Sequence, residues 1–200
     1  MQKEYIMGGG TSFARFFFAD TRTAAFWLIV RLYVGWEWLE AGWNKVMNPA
    51  WFGGDAGAAI SGFMKGAIAK ATCTPVPPAI ECHASVQWWY ASFLENFVIP
   101  YPFFWSHLIS VGETLVGIAL LAGFLTGISA FLGAFMNLNF LLAGTVSVNP
   151  VLLTLGIGLV MAWKVSGHIG LDRYVLPLLD RHFRSTKTTP QNNASQSHRQ

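Results

Sequence analysis

Between Phe103 and Trp163 the chain runs for sixty-one residues with a single Glu, Glu113, and no Lys or Arg. Two short interruptions divide this apolar run, Leu125-Thr126-Gly127 and Ser147-Val148-Asn149-Pro150. Each piece between them is about as long as a bilayer core is thick, roughly 20 residues of helix. The pattern therefore predicts three membrane helices at 103–125, 128–147 and 150–167, with a fourth preceding them at 23–44. A carboxyl group in the middle of such a span costs at least about 2.5 kcal/mol to place there, so Glu113 stands out as a functional candidate.

The polar positions inside these spans fall on stripes. Arg31, Gly35, Trp38, Gly42 and Lys45 recur at i, i+4, i+7, i+11 and i+14, one face of a helix. Its two glycines let a neighbouring helix approach closely. Glu37, Glu40 and Asn44 lie on roughly the opposite side, and Glu37 and Glu40 can form a polar face turned to water or to the outer segment. The second span aligns Ser106, Ser110, Glu113, Gly117 and Phe124, and the third Ser129, Gly133, Asn137 and Gly144. These small and polar stripes are expected to face the interior of a helix bundle. His107 lies about one turn inside the second span, a position more often filled by a structural histidine than by a ligand. Lys164 closes the fourth span, where a long cationic side chain can reach the headgroups.

The segments outside the spans carry their own pattern. Phe13, Phe16 and Phe17 beside Arg15 predict a short helix over 11–20, lying in the headgroup layer. The connection 45–102 is too long for a plain loop. Ile60, Phe63, Met64 and Ile68 sit at helical spacing, as do Val86, Trp89, Tyr90, Phe93, Leu94 and Phe97. Two amphipathic helices over the mouth of the bundle follow. Between them Cys73 and Cys82, the only cysteines, bracket a Pro-rich loop. A disulfide is the expected state on an oxidising side of the membrane. A redox dithiol would have closer spacing, and a metal site with His83 has less support.

Composition then narrows the class. A 53% hydrophobic fraction, 12% charge and nine Trp describe a membrane protein. The net charge of +3 is small, its cations gather near helix ends, and no nucleic-acid motif occurs. Eight basic residues flank the four spans at the two termini, against three in 45–102. The charge bias places both termini in the cytoplasm of a multi-pass plasma-membrane protein and the long connection outside. The expected fold is thus all-α, an integral membrane four-helix bundle with two amphipathic extracytoplasmic helices. It divides into an N-terminal interfacial segment 1–22, a membrane domain 23–180 with its cap at about 46–100, and a disordered cytoplasmic tail 181–200. No cleavable signal is expected at the start, because the apolar stretch begins late and no small-residue cleavage site follows it. Nothing resembles a P-loop, a Rossmann glycine pattern, a haem-attachment site or a zinc protease motif, and no metal or haem site is expected.

Convergence of the stripes would bring Glu113 and Asn137 together with Arg31 or Glu37, and would add Glu40, Asn139 and His107 from the outer half. Lys164 completes the candidate set at the inner end. Arg31 is the leading candidate partner for the Glu113 carboxylate. Aromatic residues around such a pocket could hold a flat ring with polar oxygens, and a carboxyl group could pass protons. This is the chemistry of a quinone site, with structural packing of the same polar residues as the competing reading.

Short motifs add a resemblance. Arg31-Leu-Tyr-Val-Gly35 through Ala41-Gly42-Trp43-Asn44-Lys45 resembles the first-helix pattern of the DoxX/DoxD family, and Gly112-Glu113-Thr-Leu-Val-Gly117 through Leu121-Ala-Gly123-Phe-Leu-Thr126 its second helix. The ending Ala162-Trp163-Lys164 and Gly170-Leu-Asp172-Arg173 is similar to the DoxD branch. The resemblance covers about 24–180 and implies a subunit of thiosulfate:quinone oxidoreductase, earlier described as a terminal quinol oxidase subunit. Such a subunit takes part in joining two thiosulfates into tetrathionate and passing electrons to quinone, together with a DoxA-type partner. The alternatives are a non-enzymatic scaffold for a redox partner and, disfavoured by the lack of internal repeats, a small-molecule carrier. Membrane lipid is a further expected partner, and a homo-oligomer is open.

Overall fold

The structure, a computed structural model, describes residues 12–72 and 84–185, with side chains described for 13–72 and 84–178. Cys73, Cys82 and most of the polar tail lie outside the described residues. The described residues are mostly helical, with turns and short loops between the helices and no strand among them. In chain order the helices are α1 (Ser12–Ala19), α2 (Ala24–Val46), α3 (Pro49–Phe52), α4 (Ala58–Ala69), α5 (Trp88–Phe93), α6 (Pro102–Ala122), α7 (Thr126–Leu142), α8 (Asn149–Met161), α9 (Trp163–Ser166) and α10 (Asp172–Ser185). A 3-10 turn at Thr21–Thr23 joins α1 to α2, and a π-helical turn at Leu94–Val98 extends α5.

Among the described residues one helix, Pro102–Ala122, is both long and apolar enough to cross a membrane. The 23-residue α2 matches it in length but carries Arg31, Glu37, Glu40 and Lys45. The fourth expected span is shorter than its apolar run, because backbone torsions of φ −93° and ψ 18° at Ala162 interrupt the helix between α8 and α9. The seventh helix has 17 residues and begins, as expected, at the Leu125-Thr126-Gly127 break.

Glycine decides the closest packing. α2 and α6 run antiparallel, with Gly35 against Leu120 and Leu121, Gly117 against Leu39, and Gly42 against Glu113 and Thr114. A Cβ on Gly42 would collide with the backbone nitrogen of Thr114, and one on Gly117 with that of Leu39. Only hydrogen side chains permit this separation, and the two backbones then gain dispersion contacts along their length. α7 packs along α8, and Trp38 of α2 meets α7 at Gly133. Trp27, Val34, Trp38, Val116, Leu120 and Leu159 fill the shared core.

A second core lies at the other end of α6. Ile60 and Met64 of α4 close on Val86, Tyr90, Leu94 and Val98. Both amphipathic helices of the long connection are present, but Trp89 and Phe97, expected on the apolar face, are exposed. The π turn explains part of this. Ile99 N–H donates to Leu94 O at 2.9 Å, an i+5 bond, and the wider turn keeps Tyr90, Leu94 and Val98 in line at four-residue spacing.

The outward faces of the long helices are apolar. Phe104, Leu108, Leu115 and Ile118 of α6, with Ile128, Phe131, Phe135 and Leu138 of α7, are all exposed. The buried positions between them include Ser106, Ser110, Glu113, Ser129 and Asn137. A helix in water shows the reverse order, polar outside and apolar within.

Candidate functional site

Glu113 is buried to 1% exposure, and its carboxylate accepts from Lys45 Nζ at 2.6 Å. The contact of Gly42 with Glu113 and Thr114 sets this up, since Lys45 lies less than one turn beyond Gly42, at the last turn of α2. Aromatic rings enclose the ammonium, with Trp51 centred 5.3 Å and Phe140 6.0 Å from Nζ. Trp51 is held in turn, because its carbonyl accepts from Ser106 Oγ at 2.5 Å. The charged pair therefore sits under the cap formed by α3 to α5.

Arg31 is not the partner of Glu113. Fourteen residues separate it from Lys45 along α2, about 21 Å at 1.5 Å per residue. At that far end its guanidinium donates to Ser166 O at 2.6 Å and to Ile169 O at 2.7 Å, against Gly123 and Gly170. Asp172 completes the junction. Its carboxylate accepts from Leu125 N at 2.5 Å and Thr126 N at 2.8 Å, satisfying donors at the start of α7. Leu125 has φ 46°, a left-handed conformation that Asp172 holds in place. The Gly-Leu-Asp-Arg ending thus closes the helix ends, and Arg31 serves this closure.

Asn137 is fully buried, and neither its Oδ1 nor its Nδ2 has a hydrogen-bond partner among the described residues. It shares a face of α7 with Gly133, one turn before it, and Phe140, three residues after it. Gly133 abuts Trp38 and Val116, and Phe140 stacks on Trp38 and approaches Lys45. Glu113 lies three residues from Val116 in the same direction toward the cap. Glu113 and Asn137 consequently occupy one level between α2, α6 and α7.

An apolar cleft of about 420 Å³ adjoins this level, between α6 and α7 and beneath α5. Gly112 and Val116 line it on either side of Glu113, with Met136 and Phe140 opposite. Phe140 is thus common to the cleft and to the surroundings of Lys45. The polar groups at the cleft are Tyr90 and Asn139. The Tyr90 hydroxyl donates to Asn139 O at 3.0 Å and lies 3.2 Å from its Oδ1, while Asn139 Nδ2 donates to Phe135 O. Burial pushes the Tyr90 phenol up to about 12, so it stays protonated at neutral pH.

The other expected residues lie elsewhere. Glu37 is half-buried beside Tyr33 and Glu40 is exposed, both on the face of α2 turned away from Glu113. His107 is bonded within its own helix to Phe103 O at 2.9 Å and packed against the Phe52 and Phe103 rings. Lys164 is exposed at the Arg31 end. Lys45 was visible in the first stripe, but nothing in the stripe distinguished it from Arg31 as the cation for Glu113. Tyr90 and Phe140 carried only the signal of apolar periodicity.

A family model, DoxX, matches residues 26–148, from the first turn of α2 to the turn before α8. The matched stretch includes Lys45, Glu113, Asn137 and every residue lining the cleft. No curated protein and no solved structure matches the chain. With an inside-out distribution of polar residues, a membrane-length helix and this match over more than half its length, the chain belongs to the DoxX family of membrane proteins.

Proposed function

We propose that this chain is the quinone-binding membrane subunit of an oxidoreductase. In this reading α2, α6, α7 and the α8–α9 pair form a four-span bundle under an extracytoplasmic cap. The bias of basic residues toward the termini supports a cytoplasmic position for both ends in the plasma membrane. The observation that carries the reading is the buried Lys45–Glu113 pair beside an apolar cleft, with Phe140 bordering both.

The cleft fits the proposed ligand class. Its volume of about 420 Å³ is within the range of small-molecule sites. Its walls are aliphatic and aromatic, and Tyr90 and Asn139 supply polar contacts at one end. A bound quinone supplies the acceptor chemistry, taking two electrons and two protons. The roles left to the chain are to orient the ring, exclude water and hold a proton. Met136 and Val116 would bracket the ring, Tyr90 and Asn139 would contact a ring oxygen, and the Glu113 carboxyl would exchange protons. Asn137 offers an unpaired donor and acceptor at the level of Glu113.

The motifs shared with the DoxD branch support thiosulfate as the reductant. Two thiosulfate ions joined through a new S–S bond yield tetrathionate and release the two electrons that quinone accepts. A DoxA-type partner polypeptide would supply the route for those electrons. The Cys73–Cys82 disulfide belongs to the same proposal. It would close a small loop of the cap and contribute roughly 2–3 kcal/mol in the chain-entropy model. Two free thiols in the mass spectrum of unreduced protein would remove it.

The functional test is thiosulfate-dependent reduction of a soluble quinone analogue by the chain copurified with its native partner. Glu113→Gln keeps shape and hydrogen bonding but carries no proton, so turnover should fall by about 10²-fold or more while the protein still folds. Full quinone reduction by the Gln variant would sink the role of Glu113. A copurifying partner without any turnover would make the chain a scaffold instead.

A further inference from the structure

We propose that the groove between α1 and the α8–α9 junction binds the phosphate headgroup of an anionic phospholipid. The groove holds about 440 Å³ and is bordered by Arg15 and Lys164, with Phe18, Met161 and Trp163 beneath them. It lies at the Arg31 end of the helices, opposite the cap and the cleft. Only its level in the bilayer rests on the four-span reading.

Neither Arg15 nor Lys164 has a carboxylate partner among the described residues, and Lys164 Nζ lies 5.3 Å over the Trp163 ring. The described acids nearby are already engaged. Asp20 accepts from Arg22 N at 2.9 Å, and Asp172 accepts from Leu125 N and Thr126 N. An Arg fork and a Lys point charge across one groove match a phosphodiester, which offers one negative charge and two free oxygens.

The walls are built rather than loose. Trp27 Nε1 of α2 donates to Phe17 O at 2.8 Å, and Thr23 Oγ1 donates to the same carbonyl at 3.0 Å. Phe17 and Phe18 pack on the Trp27 ring, so α1 is pinned against the end of α2. Phe13 and Phe16 of α1 remain exposed at 72% and 45%. Such a short aromatic helix lies at the acyl–headgroup boundary, and Trp163 suits the same level. A free anion would use the two cations and leave the apolar floor unused. A lipid uses both, with its acyl chains running down past Met161.

The test uses the purified full chain in neutral detergent with equal amounts of a phosphatidylglycerol and a phosphatidylcholine, read by native mass spectrometry. Phosphatidylglycerol adducts should dominate. They should weaken roughly thirtyfold in Arg15→Gln/Lys164→Gln, from the loss of two cations near the surface. Arg22→Gln/Arg173→Gln, which removes as much charge from the same end outside the groove, should keep them. Arg15→Lys/Lys164→Arg should keep them too, and it preserves the assay if the neutral variant does not fold. Equal retention of both lipids, or unchanged binding by Arg15→Gln/Lys164→Gln, would overturn the site. Displacement of the lipid by millimolar inorganic phosphate would make it a free-anion site and equally overturn the proposal.

Discussion

Lys45→Met and Glu113→Gln each abolish the same ion pair, formed at 2.6 Å, yet they should differ in cost. Glu113 is 1% exposed and Lys45 21%. Removing the lysine strands a carboxylate with no route to water, and breaking a buried pair from one side costs about 3–5 kcal/mol. Met keeps the stem against Trp51 and Phe140, so little of that loss is packing. Removing the carboxylate leaves an ammonium that can turn toward its exposed side, and Gln retains a hydrogen bond. That loss should be about 1 kcal/mol, the scale of an ordinary hydrogen bond. The double variant has no buried charge to strand. It should be more stable than Lys45→Met alone, with a coupling energy of roughly 2 kcal/mol. Denaturant unfolding in mixed micelles, followed by circular dichroism, measures all four corners of the cycle. Equal losses in the two single variants, or additivity in the double, would show that the pair is not the buried, mutually dependent unit described.

Other outcomes follow from the same contacts. Asp172→Ala removes two charge-assisted bonds to the start of α7 and should cost about 2 kcal/mol, measured by the same unfolding assay; a neutral result would mean that Leu125 holds its left-handed turn unaided. In wild type minus Tyr90→Phe, the phenolate absorbance near 295 nm should rise around pH 12 rather than near the ordinary 10. The folded phenol holds its proton longer than the unfolded one, so the Tyr90 contribution to stability is complete below pH about 10 and declines as pH rises toward about 12. An ordinary titration midpoint would place Tyr90 in water.

Much of the helical plan is legible along the chain. The Phe13–Phe17 pattern marks α1, Ile60 and Met64 mark the buried face of α4, and Val86, Tyr90 and Leu94 mark the buried line of the cap. The stripes Arg31–Lys45 and Ser106–Gly117 are buried or half-buried as the 3.6-residue period requires. That period specifies which residues of one helix share a face. It carries no information on where two helices cross, so it favoured Arg31 for Glu113 where the structure pairs Lys45.

The crossing was decided by contact between backbones. Gly42 and Gly117 remove the side chains that would separate α2 from α6, and their register brings Lys45 to a carboxylate 68 residues away. The same register leaves Arg31 at the far end, where the carbonyls of Ser166 and Ile169 take its donors. The cleft is also tertiary in origin, since residues of α4, α5, α6 and α7 together line it. The chain by itself determined which faces must avoid lipid. Close packing in three dimensions decided which charges meet, because a burial pattern ranks the faces of a helix while a salt bridge depends on the distance between two of them.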